Sequence, residues 1–164
     1  CNTTPRLNVT SVPFKVVSGG DAINLGTTST SIKYLSNSIQ YDNIYTCAIT
    51  SATKTSLSAA FTTAQSETGC SSTFTNKHPI TGAEPTSTKA IIYWTVTTSP
   101  QNSILDQGEH AVLAIAHGYN PSGSVEERPA SLDKVRVEVV LATGAALTVE
   151  RQVPNITNTV VDMG

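Results

Sequence analysis

The sequence predicts an all-β protein, either an immunoglobulin-like Greek-key sandwich or a small barrel of about seven to nine strands. Apolar residues recur at a spacing of two in short runs, whereas helical periodicity is nearly absent. Turn residues (Gly, Pro, Asn and Ser) separate these runs. Thr, with 25 copies, has the β-branched side chain that suits a pleated surface. The length of 164 residues predicts a single β-sandwich domain over residues 1–164.

The predicted strands follow one another in short steps along the chain. Residues 7–17 form the first strand, and Pro13 within it indicates a sheet edge or a bulge, because proline has no N–H for a central ladder. Residues 90–98 form the strongest strand, dense in β-branched and aromatic side chains, and we expect Tyr93 and Trp94 in the core. The other predicted strands cover residues 31–35, 44–49, 111–116, 135–141 and 147–153.

The last two of these strands form a predicted hairpin, joined by a turn at residues 142–145. Clean alternation in both strands assigns one face to the core and the other to solvent. We therefore expect Arg136 and Glu150 to be exposed and the hairpin to be the structural centre of the domain. The residues expected to face the core are Val135, Val137, Val139, Leu141, Leu147 and Val149.

A Ser- and Thr-rich stretch at residues 51–82 has only weak patterning. Such a composition predicts a long surface excursion. Within it, residues 57–64 are expected to form either one strand or a short helix.

The net charge and the hydropathy of the chain argue against nucleic acid and a membrane as partners of residues 1–164. The 10 basic residues are spread thinly and the net charge is −2, so no basic stripe is available for nucleic acid. No run of 18 apolar residues is present to cross a membrane. The low charged fraction of 13% with many hydroxyls is typical of secreted β-proteins. Residue 1 is Cys rather than Met, which predicts a processed or truncated product.

Three cysteines are present, Cys1, Cys47 and Cys70. In an oxidising compartment Cys47 and Cys70 are the candidate disulfide pair, which leaves Cys1 over. The alternative is three unpaired thiols, two of them serving as small core residues. No C-x-x-C motif or Cys/His cluster suggests zinc.

The sequence has no recognisable catalytic motif, such as a G-x-S-x-G elbow, an H-E-x-x-H pair or a phosphate loop. Two carboxylate pairs, Glu126–Glu127 and Asp106–Glu109, have the residue types of a glycosidase site. Both lie beside turn residues, where we expect solvated charges. The chain is therefore not expected to be an enzyme, and no catalytic residue is assigned.

The three histidines do not predict a metal site. His110 and His117 are separated by an odd number of residues and should face opposite sides of a strand. His78, next to a proline in a loop, is expected to face solvent. Loop oxygens near Asp21 or Asp106 are candidate ligands for a structural calcium, but neither loop has the regular carboxylate spacing of a dedicated site. No metal or cofactor is therefore assigned.

N-x-[ST] sequons at Asn2, Asn8 and Asn155 are candidate acceptors for N-linked glycan. A fourth match at Asn120 contains a proline and fails the pattern. In an extracellular setting, sugar at these positions would cover outer surfaces of the fold.

The C-terminal segment contains an ordered succession of motifs. A V-x-V-x-V strand at residues 135–141 meets the small-residue turn at 143–145. The next strand reaches Glu-Arg at residues 150–151 and Val-Pro at 153–154, before an apolar tail at 160–164. This succession resembles the C-terminal end of archaellins, the archaeal flagellins. The resemblance extends upstream to residue 105, is looser at residues 21–34 and is absent from residues 36–89.

The resemblance implies a structural subunit of the archaeal flagellum (archaellum) filament, located outside the cell and serving motility. The implied partners are copies of itself and related archaellins, with the S-layer as a further candidate. Archaellins begin with a long hydrophobic helix that residues 1–164 do not contain, so membrane contact is expected only through that helix. The alternatives are an accessory archaellum or S-layer-binding adhesion module, and a secreted carbohydrate-binding protein, for which one Trp and three Phe supply few stacking platforms.

Overall fold

The structure, a computed structural model, describes residues 4–98, 102–123 and 125–164. Short strands dominate it, as the period-two pattern predicts, and two short helices interrupt them. In chain order the elements are β1 (Val9–Lys15), β2 (Ile23–Asn24), β3 (Thr30–Ser36), β4 (Gln40–Tyr41), β5 (Tyr45–Ile49), α1 (Leu57–Ala64), α2 (Ser71–Phe74), β6 (Lys89–Val96), β7 (Ile104–Leu105), β8 (His110–Ala116), β9 (Lys134–Leu141) and β10 (Ala146–Gln152).

Two four-stranded sheets form the body of the fold. Their strand orders are β1-β8-β6-β5 and β10-β9-β3-β4, and a two-stranded ribbon pairs β2 with β7. No sheet closes into a barrel among the described strands, so the all-β sandwich prediction is confirmed. The three two-residue strands raise the count to ten. They were not predicted, because two residues carry no periodicity.

The main core lies between the inner faces of the two large sheets. One sheet contributes alternate residues of β6 and β8, and the other contributes alternate residues of β3 and β9, as a period of two requires. This core accounts for the sandwich that the sequence predicts. The central side chains are Ile32, Tyr34, Ile92, Trp94, Leu113, Ile115, Val135, Val137 and Val139, all of them buried.

A second core covers the opposite face of the β6–β8 sheet. There the side chains of Ile91 and Tyr93 pack against the two helices, whose Phe61 and Phe74 are fully buried with ring centroids 5.6 Å apart. β6 is thus buried on both faces, which explains its continuous apolar sequence. The prediction that residues 51–82 form a surface excursion is wrong, because part of this segment is the third layer of the fold.

Helix α1 resolves the ambiguity of residues 57–64. Ser56 begins the helix, its side chain accepting a hydrogen bond of 3.1 Å from the N–H of Ala59. The buried residues Ala60, Phe61 and Ala64 then lie on one face of the helix at a spacing of three to four residues. The crossover through α1 and α2 makes β5 parallel to β6, whereas all other neighbouring strands are antiparallel.

The C-terminal hairpin departs from its prediction in one respect. Val135, Val137 and Val139 of β9 are buried, and Arg136 and Glu150 are exposed, as expected. However, β10 is the outermost strand of its sheet and not part of a structural centre. The side chains that were expected to face the core from β10 are only partly covered. That of Leu147 is 48% exposed and that of Val149 is half-buried. Leu141, at the end of β9, is half-buried as well.

Candidate functional site

The sandwich contains a buried polar bridge between its two sheets. His117, just after β8, is completely buried. Its Nε2 lies 2.8 Å from the hydroxyl of Thr10 on β1, and its Nδ1 lies 3.2 Å from the hydroxyl of Tyr34 on β3 in the opposite sheet. Burial lowers the pKa of His117 to about 3, so the ring is neutral at pH 7. A neutral imidazole donates through one nitrogen and accepts through the other, which suits two hydroxyl partners.

Three of the four carboxylates singled out in the sequence, those of Glu109, Glu126 and Glu127, are engaged in hydrogen bonds or ion pairs rather than solvated. Glu127 accepts hydrogen bonds from the Tyr41 hydroxyl at 2.7 Å and from the N–H and hydroxyl of Thr88 at 2.6 and 2.8 Å. Burial and this carboxylate raise the pKa of Tyr41 to about 12. Glu109 is buried and accepts from two backbone N–H groups, of Thr98 and Asp106. Turn propensity alone could not reveal these partners.

Glu126 belongs to a surface network centred on Arg128. The Arg128 guanidinium forms a bidentate pair with Glu126, at 2.9 and 3.0 Å, and lies 4.2 Å from the ring centroid of Tyr119. The hydrogen bond from Arg128 holds the pKa of the Glu126 carboxyl below its usual range. Arg6 joins the network by donating to the backbone oxygen of Arg128. The contacts fix the loop after β8 to the segment that precedes β1.

His78 is buried, which makes the expectation of a solvent-facing side chain wrong. Its Nε2 lies within hydrogen-bond distance of Thr62 and of the backbone oxygen of Ser58, both on α1. Its Nδ1 accepts from the N–H of Thr81 at 3.2 Å. The ring therefore ties the loop after α2 back onto the helix layer. His110, by contrast, is exposed at the start of β8.

Cys47 and Cys70 form a disulfide, as predicted, with their Cα atoms 5.3 Å apart. The bond joins β5 to the start of the helix α2 and is enclosed by the second core. It therefore holds the helix layer against the sheet.

Removing this disulfide is expected to lower the free energy of unfolding by about 3 kcal/mol, because the cross-link restricts the unfolded chain. The double variant Cys47→Ala/Cys70→Ala, compared with the oxidised parent by urea denaturation, measures the loss. Reducing the parent with dithiothreitol should produce a loss of similar size. A loss below about 1 kcal/mol in both measurements would show that the bond contributes little.

The three sequons have different surroundings. Asn2 lies outside the described residues. Asn8 is half-buried, and the hydroxyl of Thr10, the third residue of its sequon, is buried against His117. Asn155 is exposed in the segment after β10, and the third residue of its sequon, Thr157, is exposed too.

An open groove of about 500 Å³ runs beside the outer edge of β5. Hydroxyl and amide side chains line it, and none of its lining residues is aromatic. Among the described residues, no group of three or more His, Cys, Asp or Glu side chains is placed to hold a metal ion. The calcium site suggested near Asp21 or Asp106 stays a prediction. No helix in the described ranges is both long and apolar enough to span a membrane.

Comparison with known proteins identifies a solved structure with a similar fold. No protein-family model matches the chain, and no curated protein matches it in sequence. Among solved structures, the fold is similar to the crystal structure of archaeal flagellin FlaB1 from Methanocaldococcus jannaschii, with a TM-score of 0.59. The alignment covers 93% of this chain and 82% of that chain at 12% sequence identity. The chain therefore has an archaellin-like fold.

Proposed function

We propose that this chain forms the outer β-rich part of an archaellum filament subunit that serves cell motility. The observation that carries the proposal is the archaellin-like fold, which extends over 93% of the chain and 82% of the flagellin. The motif succession of residues 135–164 is a second, separate support. The structural match has only 12% sequence identity, so it reflects the shape of the fold rather than these motifs.

The surface chemistry supports an extracellular location. A disulfide between Cys47 and Cys70 persists in oxidising surroundings. The many hydroxyls and few charges give a surface that repeated copies can pack against with little like-charge repulsion. The partners in this proposal are copies of itself and related archaellins, because contacts between different faces of identical subunits generate open helical fibres.

Asn155 is the glycan acceptor we favour. Its side chain and that of Thr157 are exposed, so an attached sugar would project into solvent. At Asn8 the sequon hydroxyl of Thr10 is already bonded inside the sandwich, which disfavours modification of the folded chain.

Two other functions share the fold and the compartment. An accessory archaellum or S-layer-binding module would be present in few copies per filament, rather than along its length. A carbohydrate-binding protein needs exposed stacking platforms, but Tyr93 and Trp94 are buried and the groove beside β5 has no aromatic lining residue. The filament subunit is therefore the better-supported function.

Filaments sheared from cells of the source organism provide the test. We expect mass spectrometry to find this chain as a filament component, with glycan on the peptide containing Asn155, and immunogold particles to decorate filaments along their length. Labelling confined to filament bases or the cell envelope would support the accessory function instead. Complete absence from filaments, with the chain recovered from the medium, would contradict the proposal.

A further inference from the structure

The four edge strands of the two large sheets differ in how well they are protected from pairing with another chain. β1 contains Pro13, and β4 has only two residues. The outer side of β5 lies in the groove between the loops that contain Gly26 and Gly69. β10 spans seven residues, contains no proline and pairs with β9 without a register shift. Long, regular edges of this kind are templates for strand addition.

The backbone of β10 directs alternate residues to its free edge. Near the hairpin turn the N–H of Leu141 donates to the oxygen of Ala145 at 2.9 Å, which makes these two residues a hydrogen-bonded pair. Such pairs alternate along an antiparallel ladder, so Leu147 and Val149 also direct their N–H and C=O groups to β9. Thr148 and the other even-numbered residues of β10 direct theirs outward. No described strand pairs with that side.

An uncovered apolar surface lies beside this free edge. Leu147 and Val149 are on the face of β10 that continues the core face of β9, since they pair with Val139 and Val137. The partners on β9 are buried, whereas Leu147 is 48% exposed and Val149 is half-buried. A strand added to β10 would extend this face and cover both side chains.

A second β10 fits this edge when the two-fold axis passes through Thr148. The two copies of Thr148 would then exchange N–H···O=C bonds through groups that the fold leaves outward. Leu147 of each copy would lie opposite Val149 of the other, at the closer, non-hydrogen-bonded spacing that favours apolar contact. Moving the axis to Glu150 would place two carboxylates opposite each other, which is destabilising.

The contacts of Arg151 favour the same register. Its Nε donates to the backbone oxygen of Gly164 at 2.9 Å, and its Nη1 donates to the oxygen of Glu150. The guanidinium therefore occupies the C-terminal end of β10. A two-fold axis at Thr148 pairs Glu150 with Ala146 of the second copy, so the oxygen of Glu150 would accept from that N–H with its second lone pair while Arg151 keeps the first. An axis at Val149 instead places Arg151 opposite Leu147 of the second copy.

We propose that β10 is a self-association surface at which two copies of this chain pair antiparallel about a two-fold axis at Thr148. A two-fold contact uses the same patch on both copies and closes on itself, so it produces a dimer rather than a growing fibre. The inference does not rest on the proposed filament function, and its test in solution is independent of any filament.

Sedimentation equilibrium of the full chain, from about 1 µM to about 1 mM, tests the pairing. We expect the mass to rise with concentration from 17.2 kDa towards twice that value. Thr148→Pro should weaken the dimer about 10- to 100-fold, because it removes an outward N–H in each copy that the fold does not use. Thr148→Val keeps the N–H and the β-branch, so its dissociation constant should stay within about twofold of the parent's.

Leu147→Asp is the second variant, and it decides the outcome if Thr148→Pro fails to fold by circular dichroism. It should also weaken the dimer at least about tenfold, because it places a carboxylate against Val149 of the second copy. A chain that stays monomeric at every concentration would overturn the proposal. So would a dimer unaffected by the folded variants, or open-ended assemblies in place of a closed dimer.

Discussion

Replacing Val137 by Asp is expected to lower the free energy of unfolding by about 4 kcal/mol or more. Val137 is 3% exposed on β9, in the middle of the main core, and pairs with Tyr34 on β3 and Val149 on β10. The substitution removes an apolar side chain from that core and introduces a carboxylate with no cationic partner in the cluster. Because small domains have only about 5–15 kcal/mol of stability, such a loss removes a large fraction of it.

Urea denaturation at pH 7 provides the measurement, and Val140→Asp is the matched control. Val140 lies on the same strand but on the outer face, where it is only partly buried. The two variants make the same chemical change in the same strand, so the difference between them reports burial. Equal losses of about 1 kcal/mol for both would contradict the assignment of Val137 to the centre of the core.

The longer strands could be predicted because the order of apolar and polar residues in each one depends on which of its faces are buried. β9 alternates between apolar and polar residues because one face meets the core, and β6 is continuously apolar from Ala90 to Trp94 because the helices cover its second face. Pro13 correctly indicated an edge, because β8 is the one neighbour of β1 among the described strands. Local pattern therefore recovered these strands and the all-β class, and the fold decided between the sandwich and the barrel that the sequence left open.

Features that depend on distant parts of the chain could not be predicted in the same way. Alternation placed Leu147 and Val149 on the correct face of β10, yet it does not tell whether the opposite layer extends far enough to cover them. The parallel pairing of β5 with β6 likewise depends on the path of the helical crossover. The burial of Glu109 depends on two backbone N–H groups whose positions are set by the folded loop.

The polar bridge was missed for a related reason. Parity predicted that His110 and His117 face opposite sides, and the structure places the first in solvent and the second in the core. The apolar run that leads directly into His117 was a local signal that this ring is buried. Its partner across the sandwich, Tyr34, is 83 residues away in sequence, so the bridge itself required the fold.

Acidification is expected to destabilise the protein through His117, because burial lowers its folded-state pKa to about 3, well below the ordinary histidine value of 6.5. A histidine with a depressed pKa in the fold contributes stability that is present above the unfolded pKa and is lost as the pH falls towards the folded pKa. The loss should therefore develop between about pH 6.5 and pH 3 and amount to a few kcal/mol. The cause is burial, because the charged ring would lose its hydration in the core.

Unfolding free energies measured by urea at several pH values, for the parent and for His117→Gln, test this expectation. Gln donates and accepts without titrating, so the variant should be less stable at pH 7 but should lose less stability between pH 6.5 and pH 4. His110→Gln is the matched control, because His110 is exposed and its replacement should leave the parent's slope unchanged. Carboxylates also titrate in this range, yet they are common to all three proteins, so the difference in slope isolates His117. Identical slopes for His117→Gln and the parent would show that protonation of this ring does not oppose folding.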